Sequence, residues 1–220
     1  MGGIKKEYCL LDDSQTVLGK AVSAFASNPL IQTIVIAVPE NGETAAREAL
    51  PSGILAAQAP RILFVQGGET RCASVFNALS LLAVYNPRYV LIHDGARPWI
   101  SPSLIVRTID AVKKYSAVIP VLPLTDTPKE CDGQVPELLT GAESSPVFIR
   151  RHLKRANTGI AQTPQAFAFP EILLAHEKAA QAEGEDFTDD AEIWGRFFGQ
   201  VAVIPGELDN RKITFPEDIN

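Results

Sequence analysis

Several residue patterns that announce a chemistry are missing from this 220-residue chain. Its three cysteines, Cys9, Cys72 and Cys131, are far apart and odd in number. With no CxxC pair, they indicate neither a disulfide framework nor a zinc site. His93, His152 and His176 share no metal-ligand spacing. No Ser/His or Cys/His constellation suggests a protein nucleophile. No GxGxxG follows a strand-like run, which argues against a dinucleotide-dependent oxidoreductase. No apolar run is long enough to span a membrane. The start, Met-Gly-Gly-Ile-Lys-Lys-Glu, lacks the apolar region of a secretory signal. A reduced, cytoplasmic compartment is the simplest expectation. An excess of positive charge is also missing. The formal net charge is −6, which argues against nucleic-acid binding. It leaves room for a small anionic substrate in a local Arg/Lys pocket.

What is present is apolar residue in quantity, 46% of the chain, patterned in alternation. Strand-like runs cover residues 31–38, 61–66, 88–92, 117–122 and 201–204. Helical spacing is expected over residues 15–26, 43–57 and 70–84, then from about 170 to 182, with a further helix opened by Thr188-Asp189-Asp190. Strands apolar on both sides, alternating with helices, predict a mostly parallel sheet covered on both faces. Residues 125–155 break this rhythm. Asp132-Gly133 signals a hairpin turn. Val147-Phe148-Ile149 is a short strand candidate, followed by a basic cluster of Arg150, Arg151, His152, Lys154 and Arg155. We read this stretch as an extended arm on a single domain.

Tyr89-Val90-Leu91-Ile92-His93-Asp94-Gly95-Ala96-Arg97-Pro98 carries the clearest functional signal. A buried strand ends abruptly in a charged turn, and ligands of open α/β sheets bind at the carboxyl ends of strands. Asp94 suits a divalent cation or a substrate hydroxyl, and Arg97 suits phosphate. A turn aspartate beside a surface arginine is the plain alternative. Gly67-Gly68-Glu69-Thr70-Arg71-Cys72-Ala73-Ser74 is a glycine turn opening a helix, fit for an anion or a polar ring. It reads equally well as a connecting turn capped by Thr70. Lys5, Lys6 and Lys212 could neutralise phosphates or be ordinary surface charges. Thr188-Asp189-Asp190 fits a helix cap.

Together these segments resemble 2-C-methyl-D-erythritol 4-phosphate cytidylyltransferases in order and spacing. Lys5-Lys6-Glu7-Tyr8 is similar to the family's Pro-Lys-Gln-Tyr, and residues 67–75 to its Gly-Gly-x-x-Arg-x-x-Ser-Val. His93 to Pro98 resembles its His-Asp-Ala-Ala-Arg-Pro. Asp126-Thr127-Pro128-Lys129 resembles Asp-Thr-x-Lys, and Thr163-Pro164-Gln165 resembles Thr-Pro-Gln. Asn210-Arg211-Lys212-Ile213-Thr214 with Pro216-Glu217-Asp218 resembles the closing Asn-x-Lys-x-Thr-x-Pro-Glu-Asp.

The resemblance implies a three-layer α/β/α, Rossmann-like nucleotidyltransferase with a protruding β-arm at about residues 127–156. It implies CTP and a polyol phosphate as substrates, Mg²⁺ as cofactor and a homodimer formed through the arm. By the same resemblance Lys6, Asp94 and Lys212 are catalytic, and Asp94 lies at the metal. Gly68, Glu69 and Ser74 would hold cytosine and ribose, and Arg71 would bind substrate. Gly95, Ala96, Arg97, Thr163 and Thr188 would line the substrates, and Thr127 and Arg155 would act from the arm across the dimer.

The chain departs from the family at its start. The family opens with a strand and a loop of the form Ala-Ala-Gly-x-Gly-x-Arg-Met-Gly, whose backbone cradles the triphosphate. Met1-Gly2-Gly3 matches only the last two residues of that loop. Met1 is also the chain's one methionine, as an internal position used as a start would leave it. The expectation is a central strand and a phosphate cradle missing, neighbouring strands bared, and little or no turnover by the chain as written. An end at Asp218-Ile219-Asn220 fits a lost last helix or a removed fused domain. A ribitol 5-phosphate cytidylyltransferase and a non-catalytic relative are the alternatives.

Overall fold

A computed structural model describes residues 5–12, 14–57, 60–133, 146–182 and 187–219. Met1-Gly2-Gly3, on which the expectation about the start rests, lies outside them. The main unit comprises residues 1–120 and 162–220, and a second compact unit spans Val121–Ala161.

In the main unit, β1 (Thr33–Val38) and β2 (Arg61–Gln66) pair in parallel. A second sheet is built on β3 (Tyr89–Ile92), β4 (Ala117–Pro123) and β8 (Gln165–Ala168). Here β8 runs antiparallel to both neighbours and lies between them. The edge strand β9 (Ala202–Pro205) pairs with β4. The α/β class holds, but strand direction in this sheet is mixed rather than mostly parallel. The reason is β8, whose four residues follow Thr163-Pro164 too closely to show a strand period of their own.

The period of two along each strand sorts side chains onto opposite faces. Ile92, Ala117 and Phe167 pack with α4 (Arg71–Leu82), α6 (Phe169–Gln181) and α7 (Asp190–Phe197). Their strand neighbours Leu91, Val118 and Ala166 face α5 (Pro102–Tyr115), which shares its cluster with α1 (Val17–Ala26) through Phe25. Three layers result. The helix expected over residues 43–57 is instead two, α2 (Glu43–Glu48) and α3 (Ser52–Ala56). Pro51 separates them, since its ring excludes helical backbone in the residue before it. Helix α5 is well specified locally: Ser101 caps the Leu104 N–H, Pro102 occupies the first turn, and Ser116 ends it in a left-handed conformation.

Among the described residues, no strand pairs with the second edge of β1 or of β3. A cavity of about 740 Å³ lies between them. It runs from Leu30 and Pro87 at the strand starts to Lys5, Asp94 and Gly95 at their ends.

The second unit, Val121–Ala161, is the arm. Strands β5 (Lys129–Cys131) and β6 (Ile149–His152) pair antiparallel, and β7 (Gly159–Ala161) pairs with Val121–Pro123. The Asp132 N–H donates to the Phe148 carbonyl and the Phe148 N–H to the Asp132 carboxylate across the expected hairpin, whose residues 134–145 lie outside the described set. The strand expected at 147–149 sits later, so Arg150 and Arg151 are strand residues paired with Glu130 at 3.7 and 2.7 Å.

Candidate active site

Strand β3 delivers Asp94 to the carboxyl end of the sheet, in a tight turn closed by the Arg97 N–H donating to the Asp94 carbonyl at 3.0 Å. The turn is held from beneath. Thr163 Oγ accepts from the Asp94 N–H at 3.0 Å and stands 3.0 Å from His93 Nδ1. His93 Nε2 is 3.1 Å from the Arg97 carbonyl. A carbonyl only accepts, so Nε2 carries the proton and Nδ1 accepts from the Thr163 hydroxyl. Burial pushes the His93 imidazole down to about 4, against the pull of the Arg97 carbonyl.

Three cations surround the Asp94 carboxylate, whose side chain is only 14% exposed. Lys212 Nζ lies 3.0 Å from Oδ2, Arg97 Nε 3.5 Å from the same oxygen, and Arg71 Nε 3.5 Å from Oδ1. Burial alone would raise the carboxyl, but Lys212, Arg71 and Arg97 hold it below its ordinary value. Each cation arrives from a different part of the chain. Arg71 opens α4 one residue after its cap, Thr70. Arg97 belongs to the Asp94 turn and anchors itself on the Asn210 carbonyl at 2.8 Å. Lys212 rides on a segment fixed by the Ile213 N–H donating to the Ala96 carbonyl at 2.8 Å. Gln162 secures that segment too, donating to the carbonyls of Glu207 and Asn210. Asn210, fully buried, donates to the Thr163 carbonyl at 2.8 Å.

The structure thus brings together Asp94, Arg71, Arg97 and Lys212 of the expected residues. Ala96 is buried as the backbone anchor for Ile213. A methyl group at Gly95 would make ordinary contacts with Leu18 at 3.5 Å and Glu7 at 3.8 Å. The Gly67–Gly68 turn also lies at strand ends, with Ser74 Oγ accepting from the Gly68 N–H at 3.0 Å. Ser74 shares the lining of the β1–β3 cavity with Arg71 and Asp94, while Glu69 is exposed on the turn.

Other expected residues have different roles. Lys5, not Lys6, lines the cavity beside Asp94; Lys6 lies close enough to Asp218 to lower that carboxyl. The hydroxyl of Thr163 is spent on Asp94 and His93, so it orders the turn instead of reaching outward. Thr188 is exposed, with its N–H and hydroxyl both donating to the Glu192 carboxylate at 2.8 Å. Thr127 and Arg155 belong to the second unit, where both are exposed and Arg155 donates to the Thr125 carbonyl at 2.6 Å. The supporting roles of His93, Gln162 and Asn210 were not legible as site features. Only the proximity of Gln162 and Asn210 to the Thr163 and Lys212 motifs pointed to them.

Comparison with known proteins gives a consistent result. A family model described as 2-C-methyl-D-erythritol 4-phosphate cytidylyltransferase matches residues 1–220. A bifunctional enzyme IspD/IspF from Bradyrhizobium sp. is 40% identical over 218 residues, covering 98% of this chain. One of the same name from Bartonella tribocorum is 34% identical, covering 99%. The chain spans about half the length of these curated relatives, 50% in each case. Among solved structures, 4-diphosphocytidyl-2C-methyl-D-erythritol synthase from Anaerococcus prevotii superposes with a TM-score of 0.78 at 29% identity, covering 96% of this chain and 86% of that one. The 2-C-methyl-D-erythritol 4-phosphate cytidylyltransferase from Thermus thermophilus gives 0.70 at 28%, with 97% and 90% covered. With a strand-end carboxylate under three converging cations in a matching fold, the chain belongs to the 2-C-methyl-D-erythritol 4-phosphate cytidylyltransferase family.

Proposed function

We propose that this chain is the cytidylyltransferase part of its protein and transfers CMP from CTP to 2-C-methyl-D-erythritol 4-phosphate, releasing pyrophosphate. The observation that carries the reading is Asp94 held between Lys212, Arg97 and Arg71 at the end of β3. In the reaction a phosphate oxygen of the acceptor attacks the α-phosphorus of CTP in line. A new P–O bond forms as the bond to the β-phosphate oxygen breaks, and pyrophosphate carries away the electron pair. Both reactants are anions, so positioning and charge neutralisation do most of the work. Lys212 and Arg97 exchange part of their pairing with Asp94 for substrate phosphate. Arg71 faces the nucleotide from the start of α4.

The donor set fits Mg²⁺. That ion is commonly held by one or two carboxylates together with substrate phosphates and water, and Asp94 is the carboxylate here. When bound, the ion would neutralise phosphate charge. Thr127 and Arg155 act from the arm in a homodimer. Support for the dimer is the exposure of Phe148, Ile149 and Ile160 on the arm, at 64%, 52% and 50%. The work takes place in a reducing compartment such as the cytoplasm, in keeping with three free cysteines. Among the described residues no helix is long and apolar enough to cross a membrane.

The test is pyrophosphate release with CTP, Mg²⁺ and either methylerythritol 4-phosphate or ribitol 5-phosphate. It uses this chain and a form preceded by a strand and a Gly-x-Gly-x-Arg loop. Turnover by the extended form with methylerythritol 4-phosphate is expected, with little by the chain alone. A preference for ribitol 5-phosphate, or no product from either form, would overturn the reading. Equal turnover by both forms would overturn the need for the loop.

A further inference from the structure

Behind Arg71 lies a buried polar chain that the proposed reaction does not use. Asp190 is the first residue of α7, and its side chain is 0% exposed. Capping does not explain it, because Asp189 already accepts the capping bond from the Glu192 N–H at 2.8 Å. One Asp190 oxygen, Oδ2, accepts from Arg71 at 2.7 Å. The other, Oδ1, is 3.2 Å from His176 Nε2 on α6, and that ring is also 0% exposed. His176 Nδ1 faces Cys72 Sγ at 3.7 Å. One proton arrangement satisfies every group: the Cys72 thiol donates to Nδ1, Nε2–H donates to Oδ1, and Arg71 donates to Oδ2. The Nε of the same guanidinium meets Asp94 at 3.5 Å.

Burying a carboxylate is expensive, and a well-packed apolar residue often serves stability as well or better. What Asp190 supplies that an apolar residue cannot is direction. Arginine has a long, rotatable stem, and ordering such a side chain on binding costs conformational entropy. Arg71 is partly exposed, at 37%, yet its Nη2 and Nε each meet a carboxylate. Without Asp190, the guanidinium would lean wholly on Asp94 or turn to solvent. Either change alters the charge balance around Asp94.

We infer that Asp190 and His176 are positioning residues: the buried His176–Asp190 pair holds the Arg71 guanidinium in a fixed orientation over Asp94. The inference rests on the proposed reaction only for what Arg71 would touch. It is therefore tested by a measurement that needs no turnover, the solvent exchange of arginine Nε–H groups in ¹⁵N-labelled protein, with Arg71 assigned by R71K.

In the parent chain the Arg71 Nε–H should exchange slowly. In D190N and H176L it should exchange faster by about tenfold or more, the scale of a lost charge-assisted hydrogen bond. H176Q keeps a donor for Asp190 and should remain near the parent, a rescue that loss of packing alone would not produce. A fast-exchanging Arg71 in the parent would overturn the inference. So would unchanged exchange in folded H176L, or equal acceleration in H176Q and H176L. If D190N fails to fold, the H176Q and H176L pair decides alone. Failure of the enzyme assay above would leave this result untouched.

Discussion

Acidification should destabilise the fold through His93 before the Asp94 and Asp190 carboxylates contribute. His93 is neutral in the folded chain, with its proton on Nε2, and packs against Phe25 at a centroid distance of 4.9 Å. Its pKa falls from 6.5 to about 4, chiefly because burial disfavours the charged ring. The sign follows from linkage. The unfolded chain binds a proton near pH 6.5 and the folded chain only near 4, so protons favour unfolding between those values. Stability is complete above 6.5, declines as pH falls, and levels off below about 4. At about 1.36 kcal/mol per pH unit the whole interval amounts to about 3 kcal/mol, of which about 2 kcal/mol is lost by pH 5. Asp94 and Asp190, held below their ordinary values by cations, add their own losses only at lower pH. Urea unfolding at pH 7.5, 6.5, 5.5 and 5.0 should show this decline. In His93→Gln it should be smaller by about 2 kcal/mol, because glutamine can serve both bonding partners without titrating. Parallel pH profiles for the two proteins would refute the reasoning, since all other groups are shared.

Three further outcomes follow from the same geometry. Phe167→Ala, at a position fully buried in β8 and stacked on Trp194 at 5.5 Å, should lower unfolding free energy by about 3–5 kcal/mol in urea titrations. Lys212→Met should raise the Asp94 carboxyl toward its ordinary value, read from the pH dependence of its ¹³C carboxyl signal, because it removes the leading counter-charge. Chelating Mg²⁺ with EDTA should weaken CTP binding about tenfold by calorimetry, since an ion held by Asp94 would also be held by the substrate phosphates; equal affinity with and without EDTA counts against the metal.

Much of this architecture is legible in the chain, and the gaps have physical causes. The four buried strands from residue 33 to 123 announce themselves by continuous apolar, β-branched runs. Strand β8 does not, because Gln165-Ala166-Phe167-Ala168 is short and gains its strand character only from lying between β3 and β4. Helix α5 has strong local signals in Ser101, Pro102 and the buried stripe Leu104, Ile105, Thr108, Ile109 and Val112. The chemistry divides in the same way. Asp94 and Arg97 share one turn and are visible as a pair. Their partners Arg71, Lys212 and Asp190 are separated in sequence and meet only through tertiary packing. Thr163 shows what residue type alone leaves out: in the fold its hydroxyl also bonds the Asp94 N–H and His93.

The charge arithmetic of the cluster sharpens what its geometry can do. Asp94 and Asp190 supply two negative charges, and Arg71, Arg97 and Lys212 supply three positive charges, a surplus of one. In isolation the three cations would repel one another and stay hydrated at the crevice. Asp94 lets them converge within one site by screening each from the others. An arriving phosphate can then take over that screening with its own oxygens, so the site exchanges one anion for another instead of assembling from mobile side chains. Arg71 is the exception, because Asp190 keeps its hold on it whatever happens at Asp94. Lys212, 42% exposed on its side chain and, among the described residues, ion-paired with Asp94 alone, can follow the incoming charge. The cluster therefore combines one tethered cation with one that can move, and the difference traces to a carboxylate buried on α7.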